Sequence, residues 1–248
     1  MKNNKTMILS MASALLISLS ACSNMETIDN TPNPNVVEEN LSGNLATLYT
    51  TTATGSATLK KTYSQVASTV NMAPTTIQVD PTKTYQSMDG FGFAITYSTC
   101  YNLMKMDAAS REKFLKQTYS TSEGYGVSYA RISIGCNDFS STEYSLCDTK
   151  GLENFALHKD ETSYVIPVLK EILAINPNLK IIASPWTSPK WMKVSDIKTK
   201  APFDSWTDGH LNPDYRKDYA QYFVKFVNIM KDNGINIYAV SPQNEPLN

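Results

Sequence analysis

The chain has 248 residues, and 22 Lys and Arg stand against 23 Asp and Glu for a formal charge of −1. These charges are interspersed, so no basic stripe points to nucleic acid and no acidic run points to a solvating tail. Fourteen Tyr and three Trp suit stacking against sugars, and they suit an ordinary core equally.

Lys2 and Lys5 precede a short apolar stretch from Met7 to Leu19, and Leu19-Ser20-Ala21-Cys22 follows. A basic start, a short apolar run and small residues before a cut site make residues 1–21 an export signal rather than a membrane span. A Cys directly after Leu-Ser-Ala also resembles the bacterial lipobox. That resemblance implies cleavage before Cys22, lipidation of its thiol and an exported protein lipid-anchored to the bacterial outer membrane. Several acyl chains on Cys22 would hold firmly where one binds only marginally. Residues 22–72 are rich in Thr, Ser, Asn and Pro and poor in bulky apolar side chains. Such a composition buries too little surface to offset its ordering entropy, so it reads as a tether, with a side-domain strand or two expected within Val36 to Leu59. The folded body is expected over residues 73–248.

Four apolar runs recur in that body: Phe91 to Ile95, Tyr129 to Ile134, Lys180 to Pro185 and Ile235 to Ser241. They are short, partly β-branched, and the last two lack strict alternation, as buried parallel strands do. Helices are expected between them. Asp107 caps one over Ala108 to Tyr119, with Phe114 and Leu115 facing inward. A second runs from about Ser163 to Ile175, with Pro167 in its first turn or at a kink. Asn212, Pro213 and Asp214 open a third, whose Tyr215, Tyr219, Tyr222, Phe226 and Met230 recur at three or four residues before Gly234 closes it. Strand and helix in alternation predict a parallel α/β architecture. The pattern alone leaves a doubly wound sheet and a (β/α)8 barrel open. Gly90-Phe91-Gly92 lacks the third glycine of a dinucleotide fingerprint, and no cofactor is expected.

Besides Cys22 there are three cysteines. Cys136 and Cys147 flank one loop and are placed to bridge in an oxidising compartment, but three buried thiols is the favoured reading. His158 and His210 lack ligand partners at useful spacing, so no metal site is expected. His158, Asp160 and Glu161 read as a solvated loop before a helix.

In a parallel barrel the site lies at the C-terminal strand ends. There the sequence places Thr96 and Tyr97, the run Gly135 to Ser140, the run Ser184 to Lys193, and Gln243-Asn244-Glu245-Pro246. Together they offer the carboxylates of Asp138 and Glu245, the amide of Asn244 and the indoles of Trp186 and Trp191. Carboxylates beside aromatics suit sugar hydrolysis, because aromatics stack on pyranose faces while carboxyls supply protons or attack the anomeric carbon.

Gly90-Phe91-Gly92, Asp138-Phe139-Ser140, Ala183-Ser184-Pro185-Trp186-Thr187-Ser188-Pro189-Lys190-Trp191-Met192-Lys193 and Gln243-Asn244-Glu245-Pro246 occur in this order. The set resembles glycoside hydrolase family 30, the group of lysosomal glucosylceramidase and microbial β-1,6-glucanases. The resemblance implies a (β/α)8 TIM barrel of which about the first four βα units are present, acting by retention on β-glucan or β-glucosides. It implies that Glu245 is the general acid/base, in a partly desolvated pocket, and that Asn244 bonds the sugar 2-hydroxyl. It assigns Asp138 and Trp186 to the terminal sugar, while Trp191 either joins them or packs under its loop. The nucleophile it implies is a Glu ending strand seven, beyond these four strands, so the chain is expected to be an N-terminal part that is inactive alone. Two departures stand out: Phe93 fills the fourth position of the family's Gly-Phe-Gly run, and Tyr97 stands where an Asp is common. The alternative from another class is a non-catalytic, glycan-binding surface lipoprotein.

Overall fold

The computed structural model describes residues 45–65 and 80–246. The leader, Cys22 and the expected start of the folded body at Ala73 lie outside the described residues. Two compact units divide between Lys83 and Thr84. In the first, β1 (Leu45–Thr50) and β2 (Lys60–Gln65) pair antiparallel, Leu48 opposite Thr62 and Tyr49 opposite Lys61. This hairpin occupies part of the stretch read as a tether.

The second unit is built on four parallel strands: β3 (Gly92–Ala94), β4 (Tyr129–Ile134), β5 (Lys180–Pro185) and, after the short pieces described below, β8 (Ile237–Val240). Their order in the sheet is β3-β4-β5-β8. Each strand therefore lies beside its predecessor in the sheet, which decides between the two architectures left open. A doubly wound sheet reverses its strand order partway, whereas a barrel winds in one direction. The unit is a partial barrel of parallel strands and helices.

The alternation along β4 separates two faces. Ala130, Ile132 and Ile134 are buried, while Tyr129, Arg131 and Ser133 point the other way and are not. On β5, Ile181 and Ala183 are fully buried on the same side. In β8 the pairing shifts between Ile181 and Ile182, so that Ile182 stands opposite Ala239 rather than Tyr238. An extra residue of this kind is a β-bulge, and it lets both Ile237 and Val240 pack on the core. β3 approaches β4 closely because Gly92 has no side chain: a Cβ there would lie 1.9 Å from the Tyr129 carbonyl oxygen.

Helices cover the apolar face. α1 (Tyr97–Lys105) starts immediately after β3 with Thr96 as its cap, and it was not expected from the sequence. α2 (Ala108–Tyr119) has Asp107 as its cap, the carboxylate accepting the Ser110 N–H. Leu115 and Tyr119 are buried, but Phe114 is 46% exposed, correcting its expected inward placement. Neighbouring helical residues diverge by about 100°. The inward row here is Leu115 and Tyr119, four apart, with Arg111 clamping Glu171 through two bonds of 2.8 and 3.1 Å. Glu171 belongs to α3 (Ile166–Ile175). A π-helical turn, Glu161–Val165, precedes α3, with the Ile166 N–H donating to the Glu161 carbonyl. Pro167 then falls in the first turn of α3, directly after this widened turn, where a residue without an N–H interrupts the regular i to i−4 ladder.

After β5 the chain makes an excursion closed by two short strands, β6 (Lys193–Val194) and β7 (His210–Leu211), paired antiparallel. A single 3-10 turn over Pro213–Tyr215, capped by Asn212, leads into α4 (Arg216–Asp232). Tyr222, Phe226 and Met230 are buried at four-residue spacing, and Gly234, at φ +82°, turns the chain out of the helix. Cys100, Cys136 and Cys147 are free and buried, so the bridge considered for Cys136 and Cys147 is not formed. The inward row of α2 is open to measurement by denaturant unfolding. Leu115→Ala is expected to destabilise by about 2–5 kcal/mol, because it leaves a cavity. Phe114→Ala is expected to change stability by no more than about 1 kcal/mol, as partly exposed positions do. Equal losses would return Phe114 to the core.

Candidate active site

The parallel register sets all four strands in the same direction, so their C-terminal ends gather at one edge of the sheet. A cleft of about 160 Å³ opens there. β3 contributes Ala94 and the following Ile95 and Thr96; β4 contributes Arg131 and Ser133; β5 contributes Ser184 and Pro185 with Trp186 after them. Asn137, Asp138 and Phe139 enter from the loop beyond β4, and Asn244 and Glu245 from the segment beyond β8. Glu245, Asn244, Asp138 and Trp186, named from the sequence, therefore meet in one place.

Arg131 is the residue that sequence reasoning did not single out. Its Nη2 donates to the Asn244 Oδ1 at 2.5 Å, reaching across β5 to the segment beyond β8. A guanidinium holding the amide oxygen fixes which way the Asn244 NH2 points, leaving its two donors for another partner. The sequence signal was present, since Arg131 is the one charged residue of β4, but its partner lies 113 residues away.

The β4 loop is shaped by Asn137, not Asp138. Asn137 Oδ1 accepts the Phe139 N–H at 2.8 Å, and the Asn137 N–H donates to Ser140 Oγ at 3.0 Å. Asp138 stands exposed at the tip of this turn, its carboxylate not used for capping. Thr96 caps α1 by accepting the Thr99 N–H at 3.3 Å. The Tyr97 ring meets Tyr164 edge-on at 5.2 Å and lies 5.7 Å from Tyr101.

The open placement of Trp191 is decided, and two expectations are corrected. Trp191 is absent from the cleft lining. Its Nε1 donates to the Cys147 carbonyl at 2.8 Å and its ring sits edge-on to Tyr215 at 5.1 Å, so it packs beneath the loop. Glu245 is exposed rather than partly desolvated. It stands beyond β8, which has no further strand on its outer side among the described residues. Asp160 and Glu161 are not a solvated loop: they are 0% and 4% exposed. Asp160 accepts the Ser141 N–H and hydroxyl at 3.1 and 2.8 Å, and Glu161 accepts the Tyr144 hydroxyl at 2.8 Å and the His158 N–H at 3.0 Å. Burial pushes the Glu161 carboxyl up to about 7, the Tyr144 hydroxyl offsetting only part of this.

Lys193, 5% exposed, anchors the other side of the site. Its Nζ donates to Thr187 Oγ1 at 3.1 Å and to the Ser205 and Trp206 carbonyls at 2.9 and 3.3 Å. Burial pulls its pKa below that of an ordinary lysine. The bonds tie the turn after Trp186 to the excursion between β6 and β7. Among the described residues no group of three or more His, Cys, Asp or Glu is arranged to hold a metal ion. Two exposed carboxylates, an oriented amide and an indole can together grip a polyol and exchange protons with it.

Comparison with known proteins agrees with this arrangement. Residues 88–248 match the glycosyl hydrolase family 30 TIM-barrel domain. The putative glucosylceramidase 4 of Caenorhabditis elegans is 33% identical over 205 residues, covering 81% of this chain and 38% of that protein. The endo-1,6-β-D-glucanase of Neurospora crassa is 33% identical over 179 residues, covering 70% of this chain and 36% of that protein. Among solved structures, the endo-β1,6-glucanase BT3312 superposes with a TM-score of 0.75 at 56% identity, over 84% of this chain and 44% of that one. The chain thus spans less than half the length of each of these three proteins.

The buried Glu161 has a signature in stability against pH. The folded state keeps the Glu161 proton to about pH 7, whereas the unfolded chain releases it near the ordinary 4.5. Between those values the unfolded state binds fewer protons, so stability falls as pH rises from about 4.5 to about 7 and this contribution is level above. Glu161→Gln keeps the shape and removes the titration; its amide can donate to Tyr144 and accept from His158. The expected outcome is a variant gaining stability relative to the parent across that window, by at most on the order of 3 kcal/mol. A wild-type minus variant difference that is flat from pH 4.5 to 7 in denaturant melts contradicts the assignment.

Proposed function

The chain belongs to glycosyl hydrolase family 30, and on that premise we propose that its cleft hydrolyses β-linked glucans with retention, β-1,6-glucan foremost. The observation that carries this reading is the meeting of Asp138, Trp186, Asn244 and Glu245 in one cleft at the C-terminal strand ends. The 56% identity to an endo-β1,6-glucanase supports β-1,6-glucan over glucosylceramide.

In this reading Glu245 is the general acid/base. It protonates the glycosidic oxygen as the leaving group departs, then takes a proton from the water that releases the sugar. Asn244, its oxygen held by Arg131, turns its NH2 to the sugar 2-hydroxyl, a bond that strengthens as the anomeric carbon gains positive charge. Asp138 accepts hydroxyl hydrogens of the terminal sugar, and Trp186 offers the apolar face against which that sugar lies.

Retention needs a second carboxylate about 5 Å from the first. Asp138 belongs to the hydroxyl-binding side, so we assign the nucleophile to none of residues 80–246. By this assignment the chain alone binds sugar without turning it over. The same proposal takes residues 1–21 as an export signal and Cys22 as the lipidated residue, placing the cleft outside the cell near polymeric substrate.

Two measurements test the reading. Residues 22–248, purified, are expected to bind β-1,6-gluco-oligosaccharides and to release no sugar, and turnover by this piece contradicts the missing nucleophile. Reading the gene past codon 248 for an in-frame Glu ending a seventh strand tests where that nucleophile lies. In an active form carrying it, Glu245→Gln is expected to lower turnover of β-1,6-glucan about 10²–10⁴-fold, the usual weight of a general acid/base, with affinity nearly unchanged. Binding without turnover in every form would favour a glycan-binding lipoprotein instead.

A further inference from the structure

The loop that carries Asn137, Asp138 and Phe139 into the cleft is held from two sides by groups that do not themselves line the cleft. From α1, Ser98 donates its N–H and hydroxyl to the Phe139 carbonyl at 3.1 and 2.7 Å. From the start of the π-helical turn before α3 come two consecutive carboxyl groups, Asp160 capping the turn and Glu161 opening it. Asp160 takes both donors of Ser141, and Glu161 takes the hydroxyl of Tyr144. The Tyr144 ring lies against the His158 ring, centroids 3.9 Å apart, and the Tyr144 carbonyl accepts the Cys136 N–H at 3.1 Å. Both ends of the segment 136–144 are thereby fastened to one short stretch of chain.

Burying two adjacent acids is unfavourable, and among the described residues no Lys or Arg forms an ion pair with either, the facing group being the His158 ring, whose Nδ1 lies 3.5 Å from Asp160 Oδ1. If packing were their only task, amides or apolar residues of similar volume would serve as well or better. A carboxyl group accepts on two oxygens where an amide accepts on one, and each here takes two donors that point from fixed directions. The π turn begins at this pair, and such turns are frequent beside functional sites.

We propose that Asp160 and Glu161 are positioning residues: through Ser141 and Tyr144 they hold the loop 137–144 at the height where Asn137 and Asp138 face the sugar. This rests on the cleft being the sugar site. A loop fixed before binding loses less freedom when sugar arrives, so loosening the latch lowers affinity while the sheet stays folded.

Hydrogen exchange of the purified chain tests the latch independently of any substrate. Asp160→Asn and Ser141→Ala are compared with the parent, Ser141 being exposed and its substitution harmless to the core. The expected result is exchange at residues 137–144 faster by about tenfold in Asp160→Asn and by less in Ser141→Ala, with β4 and β5 unchanged. Affinity for a β-1,6-gluco-oligosaccharide should fall in the same order, measured where every variant is folded. A residue that merely stabilised the fold would lower the melting temperature and leave the affinity of folded protein alone. Unchanged loop exchange in both variants overturns the proposal, as does a loosened loop with parental affinity. Should Asp160→Asn fail to fold, Ser141→Ala decides. If the parent binds no β-glucan, the sugar assignment falls and the exchange rates alone decide whether the latch exists.

Discussion

The hydrogen bond from Arg131 to Asn244 reaches over β5 from β4 to the segment beyond β8, and the cleft depends on it. Arg131 lies on β4 opposite Ile182 of β5, and Ile182 lies opposite Ala239 of β8. In that register the segment beyond β8 passes within reach of a guanidinium two strands away. Parallel pairing makes this possible, since it sends every strand toward the same edge and delivers the residues that follow each strand to a common place. A one-residue slip would turn Arg131 into the helix-covered core and bring Ile132 to the cleft.

The two faces of the sheet divide the work. Ile132, Ile134, Ile181 and Ala183 join α3 and α4 in one apolar core, and that core holds the strand ends still. The opposite face carries Arg131, Ser133 and Ser184, side chains that a packed core would exclude and a sugar cleft can use. The bulge in β8 reconciles the two demands by keeping Ile237 and Val240 on the core side. Around the rim, loops are fastened by buried polar groups: Lys193 under the Trp186 turn, and Asp160 with Glu161 behind the Asp138 turn. Both devices are internal to single stretches of the barrel wall, so each positions its own loop without help from the other.

Where local chemistry decided the structure, the sequence was legible. Tyr129 to Ile134 and Lys180 to Pro185 stand out as strands because β-branched and small residues run without helical spacing, and both fall where expected. Asp107 announces α2 because a carboxylate three residues ahead of a free N–H is a local matter. The family motif pointed to Asp138, Trp186, Asn244 and Glu245, and the structure places all four along one cleft. Failures came where distant partners decide. Asp160 and Glu161 sit in a charged stretch that looks solvated, and only Ser141 and Tyr144, 19 and 17 residues away, show why they are buried. Trp191 could be read either as a second platform or as packing under its loop, and only the distant Cys147 carbonyl, which takes its N–H, decides for the second. α1 has only Cys100 and Leu103 buried, too thin an apolar stripe to announce a helix directly after a strand.

The central claim is that the C-terminal strand ends form a sugar cleft organised by Arg131 and Asn244. Titrating the isotopically labelled chain with a β-1,6-gluco-oligosaccharide and following its amide and indole resonances tests this most directly. The account predicts saturable shifts at Asn137 to Phe139, at the Trp186 indole and at the Asn244 side-chain amide, with the helices silent. No saturable shift with any β-glucan, or shifts gathered at the opposite strand ends around Tyr129, Lys180 and Tyr238, would contradict it.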